Sequence, residues 1–144
     1  MSRLSRAQTL SPGINREVEV FSDFTTNFLK TPVGDQLARV INDSSIKQSI
    51  RNLLLTNTGD RLFRPNIGGN MRELLFENII QQNLITAQDY VRSVIEQFEP
   101  RVQLASVRVE SPERDPHTVY VTIIYRTLNN SEPQTLTLLF KRVR

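Results

Sequence analysis

The sequence predicts an α+β fold: an N-terminal arm, about three helices, and a C-terminal antiparallel sheet of about three strands on which the helices pack. Three observations predict it. Apolar residues recur at helical spacing from Ile46 to Phe98, then at alternate positions from Val102 to Phe140. The period changes at Glu99-Pro100-Arg101, where the proline holds Glu99 to extended backbone and stops the helix. The links "PERDPH" and "LNNSEP" are turn-rich and of a length that suits antiparallel neighbours.

Residues 1–19 are polar, contain Pro12-Gly13 and show no apolar period, as a disordered terminus or a partner-ordered arm would. Val20, Phe21, Phe24, Phe28 and Leu29 are scattered ahead of a Thr31-Pro32-Val33-Gly34 break. That stretch reads as extended or irregular, with a short strand near 37–42. The expected division is an arm over residues 1–35, extended or ordered by a partner, and a domain over 36–144.

Ile46, Ile50, Leu53 and Leu54 then share one helical face, with Asp43 or Ser44 as cap and an end near Thr58-Gly59. "GDRLFRPNIGGN" is a loop by every local signal. Asn70 can cap a second helix, "MRELLFENIIQQ", carrying Leu74, Leu75, Ile79 and Met71 on one side. Thr86 opens a third through "TAQD", which has capping-box spacing, and Tyr90, Val91, Val94, Ile95 and Phe98 form its buried stripe. The strands follow as "VQLASVRVES", "TVYVTIIYRT" and "QTLTLLFKR". Val119, Val121, Ile123 and Tyr125 lie on one face of the second, and Leu136, Leu138 and Phe140 alternate in the third.

Composition excludes several functions. A chain of 144 residues is one domain's length. It has no cysteine, which excludes disulfide frameworks and thiolate metal sites and fits a reducing cytoplasm. No apolar run reaches a membrane span, and the N-terminus lacks a signal-peptide core, so no membrane is expected. The net charge of +3 is a tail effect: without Lys141, Arg142 and Arg144 the body has 15 basic and 15 acidic residues. With no basic stripe interleaved with aromatics, nucleic acid is not expected as a partner.

Catalytic readings fare no better. His117 is the only histidine and sits between two strands, so no metal site and no cofactor is expected. Gly59, Gly68 and Gly69 lie in neither a GxGxxG nor a GxxxxGK pattern, and no GxSxG is present. A glycosidase needs two facing carboxyl groups, one held protonated. Glu73, Glu77, Glu96 and Glu99 are available, but Glu99 lies two residues from Arg101, and Arg61 and Arg64 could approach it. A neighbouring guanidinium lowers a carboxyl pKa, the wrong direction for a general acid. Glu99-Pro100-Arg101 thus leaves two readings open: an internal clamp at the helix end, or a rigid charged corner facing a partner chain.

Leu54-Leu55-Thr56, the loop Gly59, Arg61, Pro65 and Gly68, the helix Leu75-Phe76-Glu77 and the joint Glu99-Pro100-Arg101 stand in an order that resembles one family. It is the baseplate wedge, or sheath-initiator, family of contractile-tailed phages, often labelled tail lysozyme-like. The resemblance covers about residues 37–127, with the final strand expected. Gly69 departs from the pattern, and the first 35 or so residues match nothing in it.

The resemblance implies a non-enzymatic structural protein of the virion's tail baseplate, assembled in the host cytoplasm. It implies docking on the wedge core bundle through Glu99, Pro100 and Arg101, with Arg61 and Arg64 as further partner-binding residues. It also implies C-terminal strands, ending at Phe140, Lys141 and Arg142, that template polymerisation of the tail sheath. The implied partners are wedge proteins, the sheath protein, and tail tube or hub proteins, in a sixfold ring. The alternative is a peptidoglycan-hydrolysing tail lysozyme using Glu99 or Glu77.

Overall fold

A computed structural model of the chain describes residues 20–32, 34, 36–71, 81–112, 115, 117–128 and 130–141. Two helices and five strands are found among them: β1 (Ser22–Phe24), β2 (Arg39–Ile41), α1 (Asn42–Leu55), α2 (Gln81–Phe98), β3 (Val102–Glu110), β4 (Thr118–Thr127) and β5 (Asn130–Lys141). The α+β class and the three-stranded antiparallel sheet stand as expected. The expected second helix falls, beyond Met71 and before Gln81, outside the described residues, as do residues 1–19, Glu73, Glu77 and Arg142.

The sheet has the order β3-β4-β5, both pairs antiparallel. Its register stacks Val107, Ile123 and Leu136 in one row and Val109, Val121 and Leu138 in the next, all on the core face. The alternation legible in the sequence is therefore the alternation between core and open face. Against this face α1 places Ile46, Ile50, Leu53 and Leu54, and α2 places Ala87, Val91, Val94 and Ile95, all buried. Ile46, Ile50, Val91 and Ile95 are wholly inaccessible, and each such side chain contributes about 1.5–3 kcal/mol by burial.

Four local expectations are corrected. No side-chain bond caps the start of α1; Asp43 supplies only a favourable charge in the first turn. The helix stops at Leu55, because Thr56 turns extended and sends both its N–H and its hydroxyl to the Asn52 carbonyl. Gly59, at φ +92°, serves the loop instead of capping the helix. Thr86 opens no helix: α2 already runs from Gln81, and the Thr86 hydroxyl donates back to the Gln82 carbonyl at 3.1 Å.

Two strand boundaries also move. β5 begins at Asn130, so the stretch read as a turn is already strand, with Pro133 inside it. Proline is tolerated there because β5 is an edge strand. The stretch after Val20 contains β1, which pairs with β2 through Ser22↔Ile41 and Phe24↔Arg39. This hairpin is stitched to α1 by Gln48, whose amide nitrogen donates to the Phe24 carbonyl at 2.6 Å, and by Asn42, whose Oδ1 accepts from Val20 N at 3.0 Å.

Candidate functional site: the Glu-Pro-Arg corner and the free sheet edge

The last helical bond of α2 runs from Glu99 N to the Ile95 carbonyl at 2.8 Å, and Pro100 then turns the chain into β3. This corner drives the Glu99 side chain inward, where only 3% of the residue is exposed. A buried carboxylate is tolerable only if its oxygens are occupied. Here Arg101 grips it as a fork, Nε to Oε1 at 2.5 Å and Nη2 to Oε2 at 2.6 Å. Ser49 on α1 donates its hydroxyl to Oε2, also at 2.6 Å.

Burial pushes the Glu99 pKa up. The hydrogen bonds from Arg101 and Ser49 and the Arg101 charge outweigh it and bring the pKa below the ordinary 4.5. Arg101 shifts the other way: its bond to Glu99 raises its pKa against the opposing effect of burial. The Arg101 guanidinium carbon lies over the Phe21 ring, 5.4 Å from its centroid. The Glu99–Arg101 pairing of the expected clamp is therefore present, with Glu99 as its centre. Among the described residues, however, the Arg101 side chain bonds this carboxylate and no carbonyl at the end of α2.

The clamp does not use all of Arg101. Its Nη1 donors have no partner among the described residues, and its side chain is 32% exposed. Pro100 is exposed beside it. Arg61 and Arg64 stand elsewhere: they lie in the loop after α1, line a shallow concavity with Leu62 and Phe63, and make no bond to Glu99. Of the five residues expected together, Glu99, Pro100 and Arg101 meet; the two loop arginines form a second surface. Ser49 and Phe21 complete the corner, although no periodic signal in the sequence marked either.

At the opposite side of the sheet, β5 presents an edge with no strand beside it among the described residues. The other edge, β3, likewise has no strand beside it among the described residues; it contacts α2 and carries a bulge between Leu104 and Ser106. Phe140 is buried in the core and Lys141 is exposed at the strand's end. Between α1 and β5 lies an open concavity lined by Arg51, Leu55, Thr137, Leu138, Leu139 and Phe140. No cluster of three or more metal-ligating side chains occurs among the described residues, and none of their helices is long and apolar enough to cross a membrane.

A family model described as Baseplate wedge protein gp25 matches residues 42–132. The baseplate wedge protein gp25 of Enterobacteria phage T4 is 27% identical over 114 residues, covering 79% of this chain and 85% of that relative. A solved protein from Geobacter sulfurreducens, described as a candidate tail lysozyme, is 27% identical with a TM-score of 0.66, covering 74% of this chain and 98% of its own. Two assemblies contain chains of the same fold. In the anti-feeding prophage baseplate the likeness is 20% identical, TM-score 0.60, over 84% of this chain and 85% of that one. In the pyocin R2 baseplate it is 17% identical, TM-score 0.53, over 85% of this chain and 100% of that one.

Proposed function

Because the chain belongs to the baseplate wedge protein gp25 family, we propose that it works as a structural part of a contractile tail's baseplate, docking through Glu99-Pro100-Arg101 and templating the tail sheath along β5. The observation that carries this reading is the edge of β5, which has no strand beside it among the described residues. An unpaired edge strand 12 residues long is a hazard in a solitary protein and a template where another chain must add a strand. Pro133 cannot donate and blunts the first part of that edge, so the usable template is residues 134–141. Lys141 and Arg142 at its end favour an acidic surface on the incoming chain.

At the corner, Glu99 positions and Arg101 contacts. The buried carboxylate fixes the guanidinium, and the unbonded Nη1 side beside exposed Pro100 is left for an acceptor on a wedge protein. In this reading residues 1–19 act as an arm ordered by a partner, while the segment from Val20 through β1, held by β2 and α1, joins 36–144 in the baseplate domain. Six copies form a ring beside wedge, sheath and tube or hub proteins in the virion's tail, after assembly in the host cytoplasm.

The alternative, hydrolysis of peptidoglycan, draws no support from Glu99. A general acid needs a raised pKa and a reachable proton, whereas this carboxylate is buried, held ionised and bonded at both oxygens. Reconstitution of wedges tests both readings on one preparation. Arg101→Ala leaves the buried Glu99 carboxylate short of a partner and so lowers the unfolding midpoint. At a temperature where circular dichroism shows it folded, it should fail to join wedge complexes, and the wild-type chain should leave a peptidoglycan suspension turbid. Normal assembly by Arg101→Ala removes the docking role; clearing that disappears in Glu99→Gln would make the chain a hydrolase.

A further inference from the structure

The loop after α1 places two large apolar side chains where a turn gains least from them. Arg64 N donates to the Arg61 carbonyl at 3.2 Å, closing a turn whose central residues are Leu62 and Phe63. These are 93% and 98% exposed. Turn centres favour Gly, Pro, Asn, Asp and Ser, whose backbones or short polar side chains suit the bend; Leu and Phe offer neither advantage.

The loop that carries them is firmly built. Gly59 N donates to the Pro65 carbonyl at 2.8 Å, Asn57 N to Asp60 Oδ2 at 2.8 Å, Thr58 N to Asn70 Oδ1 at 2.6 Å, and Gly69 N to the Thr56 carbonyl at 2.8 Å. A Cβ on Gly69 would lie 2.9 Å from Leu54 Cα, so the base of the loop rests directly on the α1 backbone. The apolar tip therefore stands preorganised on a stiff support, the condition under which a short anchor binds with little ordering cost. Arg61 and Arg64 flank it, and neither side chain bonds to a carboxylate among the described residues. The one acid of the loop, Asp60, accepts a backbone bond from Asn57.

We propose that Leu62-Phe63 is a docking anchor that seats in an apolar pocket rimmed by carboxylates on a different baseplate protein, with Arg61 and Arg64 pairing the rim. The proposal rests on the baseplate reading above and adds a surface separate from the Glu-Pro-Arg corner. A second copy of this chain is the poorer match. The concavity between α1 and β5 is as polar as it is apolar, and its lining includes Arg51 and no carboxylate, so it meets Arg61 and Arg64 with like charge. A lipid surface is also a poorer match, since stable membrane binding requires a wider apolar face than two side chains on one turn.

The test replaces Phe63 by p-benzoylphenylalanine for photocrosslinking in assembled baseplates, and compares incorporation of the wild type with that of Leu62→Ser/Phe63→Ser. The expected result is a crosslink to an Asp- or Glu-bearing segment of one other baseplate protein. The double variant should incorporate about tenfold less than the wild type, with the isolated chain's unfolding temperature unchanged. Crosslinking to a second copy of this chain overturns the proposal. So does wild-type binding to phosphatidylglycerol–phosphatidylcholine vesicles that the double variant loses. Normal incorporation of the double variant overturns the anchor alone, whereas failure of the wild type to incorporate overturns the baseplate reading beneath it.

Discussion

Ser49 and Glu99, 50 positions apart in sequence, are joined by a 2.6 Å hydrogen bond that ties the middle of α1 to the corner after α2. The bond makes the Glu-Pro-Arg corner a tertiary feature, since it exists only once the two helices have packed. It also fixes the carboxylate that Arg101 grips, so folding and presentation of the arginine are one event.

Glu99→Gln should lower stability by about 2 kcal/mol, between the ~0.5 kcal/mol of exposed pairs and the ~3–5 kcal/mol lost on breaking buried ones, because Arg101 is partly exposed. Urea unfolding at neutral pH measures it. Ser49→Ala should cost about 1 kcal/mol, and the two changes should combine non-additively, since they remove the two ends of one bond.

The acid limb of the stability curve should report the same carboxylate. The folded-state pKa of Glu99 lies below its ordinary 4.5, so its contribution is complete above that value and is lost as pH falls through the folded one. The stability gap between wild type and Glu99→Gln should be constant near neutrality and close in acid. A gap that widens in acid would mean that the carboxyl is held protonated in the fold.

Tyr125 gives the opposite limb. Its ring is wholly buried and its hydroxyl has no partner among the described residues, and burial, aided by the Asp43 and Glu99 charges, pushes its pKa from 10.0 up to about 12. Its contribution is full below pH 10.0 and is lost as pH rises through about 12. Tyr125→Phe removes an unsatisfied donor, so it should be neutral or stabilising by about 1 kcal/mol and should flatten the alkaline loss. Thermal unfolding of both chains across that range checks it.

The paired glycines of the loop should tolerate no side chain. A Cβ on Gly68 would sit 2.5 Å from backbone atoms of Asn57 and Thr58, and one on Gly69 would sit 2.9 Å from Leu54 Cα. Neither obstacle is a side chain that could rotate away. Gly69→Ala should cost about 1–3 kcal/mol and Gly68→Ala more, as measured by urea midpoints.

The parts of this fold that were legible in the sequence are those with a repeat. Ile46, Ile50, Leu53 and Leu54 marked the buried side of α1, and Val119, Val121, Ile123 and Tyr125 the inner row of β4, because burial on one face imposes a period. Single-position signals misled. "TAQD" has the spacing of a helix start, but the flanking residues continue the helix, so the hydroxyl of Thr86 finds a carbonyl one turn back. Gly59 looked like a helix cap because its positive φ is needed, though the need comes from the loop. β1 lies in a stretch that reads only as extended or irregular, because three exposed residues carry no alternation.

The corner divides in the same way. Glu99, Pro100 and Arg101 are neighbours in sequence and could be singled out there. Ser49 and Phe21 reach the corner only through packing, and nothing local distinguishes them from other serines and phenylalanines. Arg61 and Arg64 could be recognised as exposed cations but not assigned to a surface, since that depends on where the loop points.

Backbone amide hydrogen exchange of the chain, alone and with purified sheath protein, tests the templating role of β5 most directly. New protection is predicted only at residues 134–141, on the edge that Pro133 leaves usable, with residues 102–110 of β3 unchanged. Protection along β3 instead, or no change on either edge, would contradict that role.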